Sequence, residues 1–126
     1  MKNKLDKHVA AYQGHSMYDF DNKILLNWYP KRIITLTKNT DSVLELGLGH
    51  GYTTHIFSKF YKKYCILEGS GAVINNYKKL YPNSEIRIIE TYFENFESNE
   101  KFDVIIMGFI LEHVEKPVEI LKRFKH

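Results

Sequence analysis

Short apolar runs alternate with amphipathic segments along most of the chain. Four runs rich in Val, Ile and Leu are bounded by glycine, proline or polar residues, which is typical of buried strands: 42–46, 64–67, 85–89 and 102–107. Apolar residues three and four positions apart predict helices over 52–60 and 70–80, and a last helix beginning around Pro117. Strands that alternate with helices of about ten residues predict a parallel sheet with helices on both faces.

The helical spacing also predicts which side chains face the core. In segment 70–80 these are Val73, Ile74, Tyr77 and Leu80, and in the last helix Val118, Leu121 and Phe124. Residues 1–20 favour a loop or short helix. Segment 22–36 has helical spacing, but Pro30 disfavours helix at Tyr29, so we expect a break there.

Composition and charge exclude several classes of protein. The chain has 126 residues, of which 44% are hydrophobic and 26% charged, so one globular domain is expected over 1–126. The net charge of +3 is spread among alternating lysines and acids, and no basic block predicts nucleic-acid binding. Cys65 is the single cysteine, and no signal peptide or membrane-spanning run is evident. These features predict a cytoplasmic protein with no membrane partner.

A glycine turn follows the first predicted strand. Gly47, Gly49 and Gly51 let the backbone turn sharply towards a helix and approach a ligand closely. Glu68 ends the second predicted strand, at the interval of ~20 residues expected for an acid that hydrogen-bonds a ribose. Both features fall at strand carboxyl ends, where parallel sheets bind ligands. We therefore expect an adenosyl ligand at this edge.

The residues around the turn discriminate between two cofactors. A dinucleotide site needs a third glycine at the position that Tyr52 occupies, and Glu45 would oppose a pyrophosphate. A sulfonium cofactor carries positive charge and no phosphate, so an acid suits it. An NAD-dependent dehydrogenase domain stays open as an alternative.

On these residues the chain resembles the class I S-adenosylmethionine-dependent methyltransferases. Segment 43–51 matches their first motif, Glu-x-Gly-x-Gly-x-Gly, Glu68 their acidic second motif, and 102–107 their fourth strand. Segment 111–121 is similar to the LEHVxxPxxxL segment of the ubiquinone- and sugar-methyltransferase-like branch. The resemblance implies a Rossmann-like α/β sheet with strand order 3-2-1-4. It also implies methyl transfer from S-adenosylmethionine to a small-molecule acceptor, such as a phosphorylated or sugar metabolite, with S-adenosylhomocysteine as the product.

The resemblance also assigns cofactor contacts. They are Glu45, Gly47, Leu48, Gly49, Tyr52 and Thr53 around the turn, Glu68, Gly69 and Ser70 after the second strand, Tyr92 and Phe93 after the third, Met107, Gly108 and Phe109 after the fourth, and Tyr12 and Tyr18 in a lid. The lid belongs to a helical N-terminal segment, 1–38, that precedes a cofactor-binding core, 41–126. Glu90-Thr91 stands where the family commonly has Gly-Asp.

Methyl transfer from a sulfonium is an in-line displacement that depends mainly on alignment. A neutral hydroxyl acceptor would also need a base, for which His113 and His15 are the candidates. An anionic acceptor would need none, and His113 could instead order its loop or cap the last helix. The six histidines show no metal-binding spacing, so no metal is expected.

The family's sheet has seven strands, whereas this chain supplies four, so the resemblance implies a C-terminally incomplete domain. An open edge beside 102–107 would favour self-association into a homo-oligomer. A non-catalytic S-adenosylmethionine-binding half-domain that pairs with another chain is a second alternative. Nucleic acid is not expected as the acceptor, because Met107-Gly108-Phe109-Ile110 stands where amino-methylating enzymes have Asn/Asp-Pro-Pro-Tyr.

Overall fold

The computed structural model describes residues 3–12 and 19–125. A 3₁₀ helix over Asp6–Tyr12 precedes helix α1, Asp19–Leu36. The remaining elements, in chain order, are β1 (Ser42–Leu46), α2 (Tyr52–Phe60), β2 (Lys63–Glu68), α3 (Gly71–Leu80), β3 (Arg87–Glu90), β4 (Val104–Ile106) and α4 (Pro117–Arg123). Two short 3₁₀ turns, Phe93–Asn95 and Leu111–His113, flank β4. The predicted strands and helices are all present, with their ends shifted by a few residues.

The four strands form one parallel sheet in the order β3-β2-β1-β4. This confirms the expected fold and strand order. Glu45 of β1 lies opposite Ile66 of β2 on one side and Ile106 of β4 on the other. The strand order reverses at β1, so the loops that follow β1 and β4 emerge side by side, at the position where such sheets bind ligands.

Helices cover both faces of the sheet, as expected. On one face Val43 and Ile106 pack with Phe57 of α2, and Ile66 packs with Tyr77 of α3. On the other face a cluster packs beneath α4: Leu44, Leu46, Cys65, Leu67, Ile120 and Phe124. Burying both faces explains why apolar side chains occupy neighbouring positions within each central strand, at Val43 and Leu44 of β1 and at 65–67 of β2.

The expected break in the first helix is wrong, because α1 runs unbroken through Pro30. Proline inside a helix removes one hydrogen bond and clashes with the preceding turn, at a cost of about 3 kcal/mol. The Pro30 ring is fully buried, and Tyr29 and Ile33 pack against the α2 side of the core. This tertiary packing offsets the local penalty.

Three of the predicted inward-facing positions are also wrong. Leu80, Val118 and Leu121 are 57%, 62% and 47% exposed. Ile120 of the seven-residue α4 helix and Phe124, which follows the helix as its C-cap, are buried in the cluster beneath α4, so Val118 and Leu121 are turned outwards. The other predicted core positions of α3, namely Val73, Ile74 and Tyr77, are buried.

Candidate functional site

The glycine turn has the backbone that the sequence predicts. Gly47, Gly49 and Gly51 all have positive φ, at 85°, 50° and 78°. Gly51 caps the start of α2, and its amide donates to the Leu48 carbonyl at 2.9 Å. The Gly47 amide donates to the Leu67 carbonyl at 2.8 Å, which fixes the turn against the end of β2.

The space beside Gly47 is filled by protein. A Cβ atom at this position would lie 2.9 Å from the Cγ2 atom of Ile110, in the loop that follows β4. Gly47 therefore lets a second loop pack directly on the turn, a role that the sequence pattern does not indicate. Ile110 joins the two loops at the point where the strand order reverses.

Glu68 is half-buried at the end of β2 and is held by two loops. Its Oε2 atom accepts from the Leu48 amide at 3.0 Å, and its Oε1 atom accepts from the Ser70 amide at 2.8 Å. A carboxylate has about four lone-pair directions, so two remain for ligand hydroxyls. The amides fix the orientation of the carboxylate at the carboxyl edge, beside the glycine turn.

The N-terminal segment packs on the loops that follow β2 and β3. The Asn3 amide group donates to the Gly69 carbonyl and accepts from the Tyr92 hydroxyl at 2.7 Å. The Asp6 carboxylate accepts from the Ser70 hydroxyl at 2.8 Å. Neither Asn3 nor Asp6 was a predicted site residue, and no pattern in the sequence singles them out.

Two of the residues expected to bind cofactor on this side have side chains that are used by the fold. Ser70 is 1% exposed, and its hydroxyl caps α3 by accepting from the Val73 amide at 3.2 Å. Phe93 packs against the cluster beneath α4. Tyr92 is 37% exposed and so keeps an accessible ring at the edge.

Glu45 lies beneath the glycine turn and is 2% exposed. Its carboxylate accepts from the hydroxyls of Thr53 at 2.9 Å, Thr54 at 3.4 Å and Tyr64. Burial raises the pKa of Glu45 to about 7, and the three hydrogen bonds oppose that rise. Contact between Glu45 or Thr53 and a cofactor stays a prediction, because in the structure these side chains bind each other.

Tyr29 of α1 reaches the carboxyl edge, although the sequence pattern does not predict it as a site residue. Its hydroxyl lies against Gly108, where any Cβ atom would also lie 2.8 Å from the Tyr29 Cζ atom. Burial raises the pKa of the Tyr29 hydroxyl, the Glu45 carboxylate raises it further, and a hydrogen bond with Thr53 lowers it. The sequence pattern predicts a helix break at Tyr29, and the direction of a side chain at a break cannot be predicted. The continuous helix is what directs Tyr29 to this edge.

The remaining predicted residues have varied positions. Tyr52 is 45% exposed, with its ring stacked on His50 at 5.4 Å, whereas Met107 packs with the cluster beneath α4. His113 is exposed in the 3₁₀ turn after β4, and its amide donates to the Ile110 carbonyl at 2.9 Å. Tyr12 ends the first 3₁₀ helix, but its side chain is not described. His15 and Tyr18 lie outside the described residues.

Within 3–12 and 19–125, no group of three or more His, Cys, Asp or Glu side chains could hold a metal ion. No helix in this part of the chain has the length and apolar character to cross a membrane.

Comparison with known proteins identifies similar folds. A family model described as a methyltransferase domain matches residues 44–126, and no curated protein sequence matches the chain. The N-methyltransferase NodS of Bradyrhizobium japonicum WM9, crystallised with S-adenosylhomocysteine, has a TM-score of 0.74 at 17% identity, covering 97% of this chain and 64% of its own.

Two further structures are similar. Streptomyces venezuelae DesVI has a TM-score of 0.64 at 17% identity, over 90% of this chain and 52% of its own. The glycopeptide N-methyltransferase MtfA, complexed with S-adenosylhomocysteine, has a TM-score of 0.65 at 20% identity, over 77% of this chain and 45% of its own. The chain thus spans roughly half to two thirds of the length of these structures, and at such identities the similarity concerns the fold.

Proposed function

The chain belongs to the methyltransferase-domain family whose model matches residues 44–126, and from this premise we propose that it binds S-adenosylmethionine and transfers the methyl group to a small-molecule acceptor. The observation that carries the proposal is the anchored Glu68 carboxylate beside the glycine turn. The complexes of NodS and MtfA with S-adenosylhomocysteine support the choice of cofactor.

Glu68 is suited to hold a ribose. The amides of Leu48 and Ser70 occupy one lone pair on each oxygen and keep the carboxylate in one orientation. The remaining lone pairs can accept from two neighbouring hydroxyls, which is the pattern that a ribose offers. Tyr92 at the next strand end supplies an exposed ring for the adenine, and the loop after β4 faces the methionine end.

When bound, S-adenosylmethionine would supply an electrophilic methyl group on a good leaving group. The chain's residues have to align the two partners and exclude water. A neutral hydroxyl acceptor would also have to lose a proton, and His113 stands exposed after β4 to accept it. An anionic oxygen or the lone pair of a neutral amine can attack without first losing a proton. With such an acceptor, His113 would not be needed as a base during the attack.

Calorimetry with S-adenosylmethionine and S-adenosylhomocysteine tests the proposal on the full chain. We expect binding by the parent protein and at least a tenfold loss in Glu68→Gln, because the amide offers an N–H group where a carboxylate oxygen accepted. Glu85→Gln is the matched control: Glu85 is exposed before β3, at the opposite end of the strands, and should leave affinity unchanged. Circular dichroism of each variant checks that the fold is kept.

The outcomes separate the alternatives. No binding by the parent chain, or equal binding by Glu68→Gln, would overturn the proposal. Binding of NAD in place of S-adenosylmethionine would support the dehydrogenase alternative. Tight cofactor binding without turnover in a screen of sugar, phosphorylated, phenolic and amine acceptors would support a non-catalytic binding module.

A further inference from the structure

Phe109 has an unfavourable backbone conformation at the edge of the site. Among the residues that the structure describes, it is the one non-glycine residue with positive φ, at 56°. Its side chain is 50% exposed. Positive φ is rare for a bulky residue, and strained residues cluster at sites where geometry serves function. Because half of the Phe109 side chain is exposed, its hydrophobic burial offsets only part of the cost of this backbone conformation.

The residues on either side of Phe109 are both pinned. Gly108 before it lies against the Tyr29 hydroxyl, and Ile110 after it presses on Gly47 of the glycine turn. The Tyr29 ring also packs edge-to-face on the Phe109 ring, with centroids 5.5 Å apart and an interplanar angle of 79°. The surrounding structure thus over-determines the conformation of Phe109.

Tyr29 is itself held firmly. Its ring makes an edge contact with Phe57, at 6.3 Å and 68°. Thr53 lies near this hydroxyl and lowers its pKa, and the Thr53 hydroxyl donates to the buried Glu45 carboxylate at 2.9 Å. Because its pKa is raised, Tyr29 stays protonated at neutral pH and is suited to positioning and not to proton abstraction.

We propose that Tyr29 is a positioning residue that holds the strained Phe109 ring over the acceptor side of the site, where the ring recognises an acceptor with an apolar or planar face. The inference rests on the proposed function, since it assumes that the loop after β4 faces the transferred methyl group. Phe109 then selects the acceptor by apolar contact, and Tyr29 acts only through Phe109.

The first test concerns the strain and needs no ligand. In urea unfolding of the full chain, we expect Phe109→Gly to be more stable than Phe109→Ala by about fivefold in the unfolding equilibrium constant, since glycine alone tolerates positive φ. Glu112, exposed in the neighbouring 3₁₀ turn, is the matched control. There the order should be reversed, with Glu112→Ala more stable than Glu112→Gly.

Tyr29 variants then test the positioning. If Tyr29 imposes the conformation, the glycine advantage at position 109 falls below twofold in a Tyr29→Leu background. Tyr29→Phe keeps the ring and removes only the hydroxyl that lies against Gly108. We expect this variant to reduce the stability advantage of glycine over alanine at position 109 in part. It provides the test if Tyr29→Leu does not fold. A Tyr29 that merely fills space would lower the stability of both position-109 variants equally, and that result would overturn the proposal.

The second test concerns the acceptor side. Calorimetry first measures binding of S-adenosylhomocysteine. Absence of binding would overturn the proposed function. It would not overturn the positioning role of Tyr29, which the urea unfolding experiments test separately. Saturation-transfer NMR on the cofactor-loaded chain then compares phenol, as the planar apolar probe, with methyl phosphate, an anionic phosphate probe whose methyl protons can be observed. We expect a phenol signal that is at least halved in Phe109→Ala and unchanged in Trp28→Ala, an exposed aromatic control on α1. Phenol binding that survives loss of Phe109, or a response to methyl phosphate alone, would overturn the acceptor assignment.

Discussion

The buried Glu45 carboxyl should make the stability of the fold fall between about pH 4.5 and 7. Burial raises its pKa from 4.5 to about 7 in the folded chain. The folded state therefore holds this proton more tightly than the unfolded state, so stability is highest below pH 4.5. The contribution of Glu45 to the free energy of unfolding decreases as the pH rises towards 7 and does not change further above pH 7. At ~1.4 kcal/mol per pKa unit, the loss is on the order of 3 kcal/mol.

Glu45→Gln isolates this effect, because glutamine has nearly the same shape and does not titrate. The hydroxyls of Thr53, Thr54 and Tyr64 surround the side chain, and one of them will face an N–H group in the variant, which costs about 1–3 kcal/mol. The variant should therefore be the less stable protein at pH 4.5. Since its stability does not fall with Glu45 ionisation, the gap should close or reverse by pH 7.5.

Urea unfolding of parent and variant, followed by circular dichroism at half-unit steps from pH 4.5 to 8, measures the difference in free energy of unfolding. Glu85→Gln, an exposed acid, serves as the control and should track the parent at every pH. The backbone and side-chain hydrogen bonds from Ser42 lower the pKa of Asp103, which moves its titration away from this window. Parallel curves for the parent and Glu45→Gln would refute the reasoning, since a buried carboxyl with a raised pKa cannot leave the pH dependence unchanged.

Three further predictions concern contacts around the site. Asn3→Ala removes the bridge between Gly69 and Tyr92 and should weaken S-adenosylmethionine binding several-fold in calorimetry, while Lys4→Ala, exposed beside it, should not. Gly108→Ala forces a methyl group against the Tyr29 hydroxyl and should lower the free energy of unfolding by about 1–3 kcal/mol; adding Tyr29→Phe should restore part of that loss in the same urea assay. Because β4 pairs with β1 alone in the described sheet, we expect gel filtration at micromolar concentration to show self-association, and an entirely monomeric profile would contradict this.

The sequence was sufficient for features that depend on neighbouring residues. Three of the five residues of β1 are apolar and stand just before the glycines, and the three glycines need positive φ, so both the strand and the turn can be recognised locally. The contacts of the N-terminal segment could not be recognised in this way. Asn3 and Gly69 are 66 positions apart, and Asp6 and Ser70 are 64 apart, and single polar side chains at such separations leave no periodic signal. Position 29 was missed because the local rule for proline was overridden by burial.

The N-terminal segment lies outside the range that the family model matches, yet it contacts the site at both ends. At one end Asn3 and Asp6 contact the loops after β2 and β3, and at the other Tyr29 contacts the loop after β4. The glycine turn and Glu68 between them belong to the matched core. The proposed cofactor contacts lie in the matched core, whereas the proposed acceptor contact of Phe109 also depends on α1. If Tyr29 sets the position of Phe109, then acceptor choice in this chain depends on α1, and exchanging α1 alone should change the acceptor while leaving cofactor affinity in place.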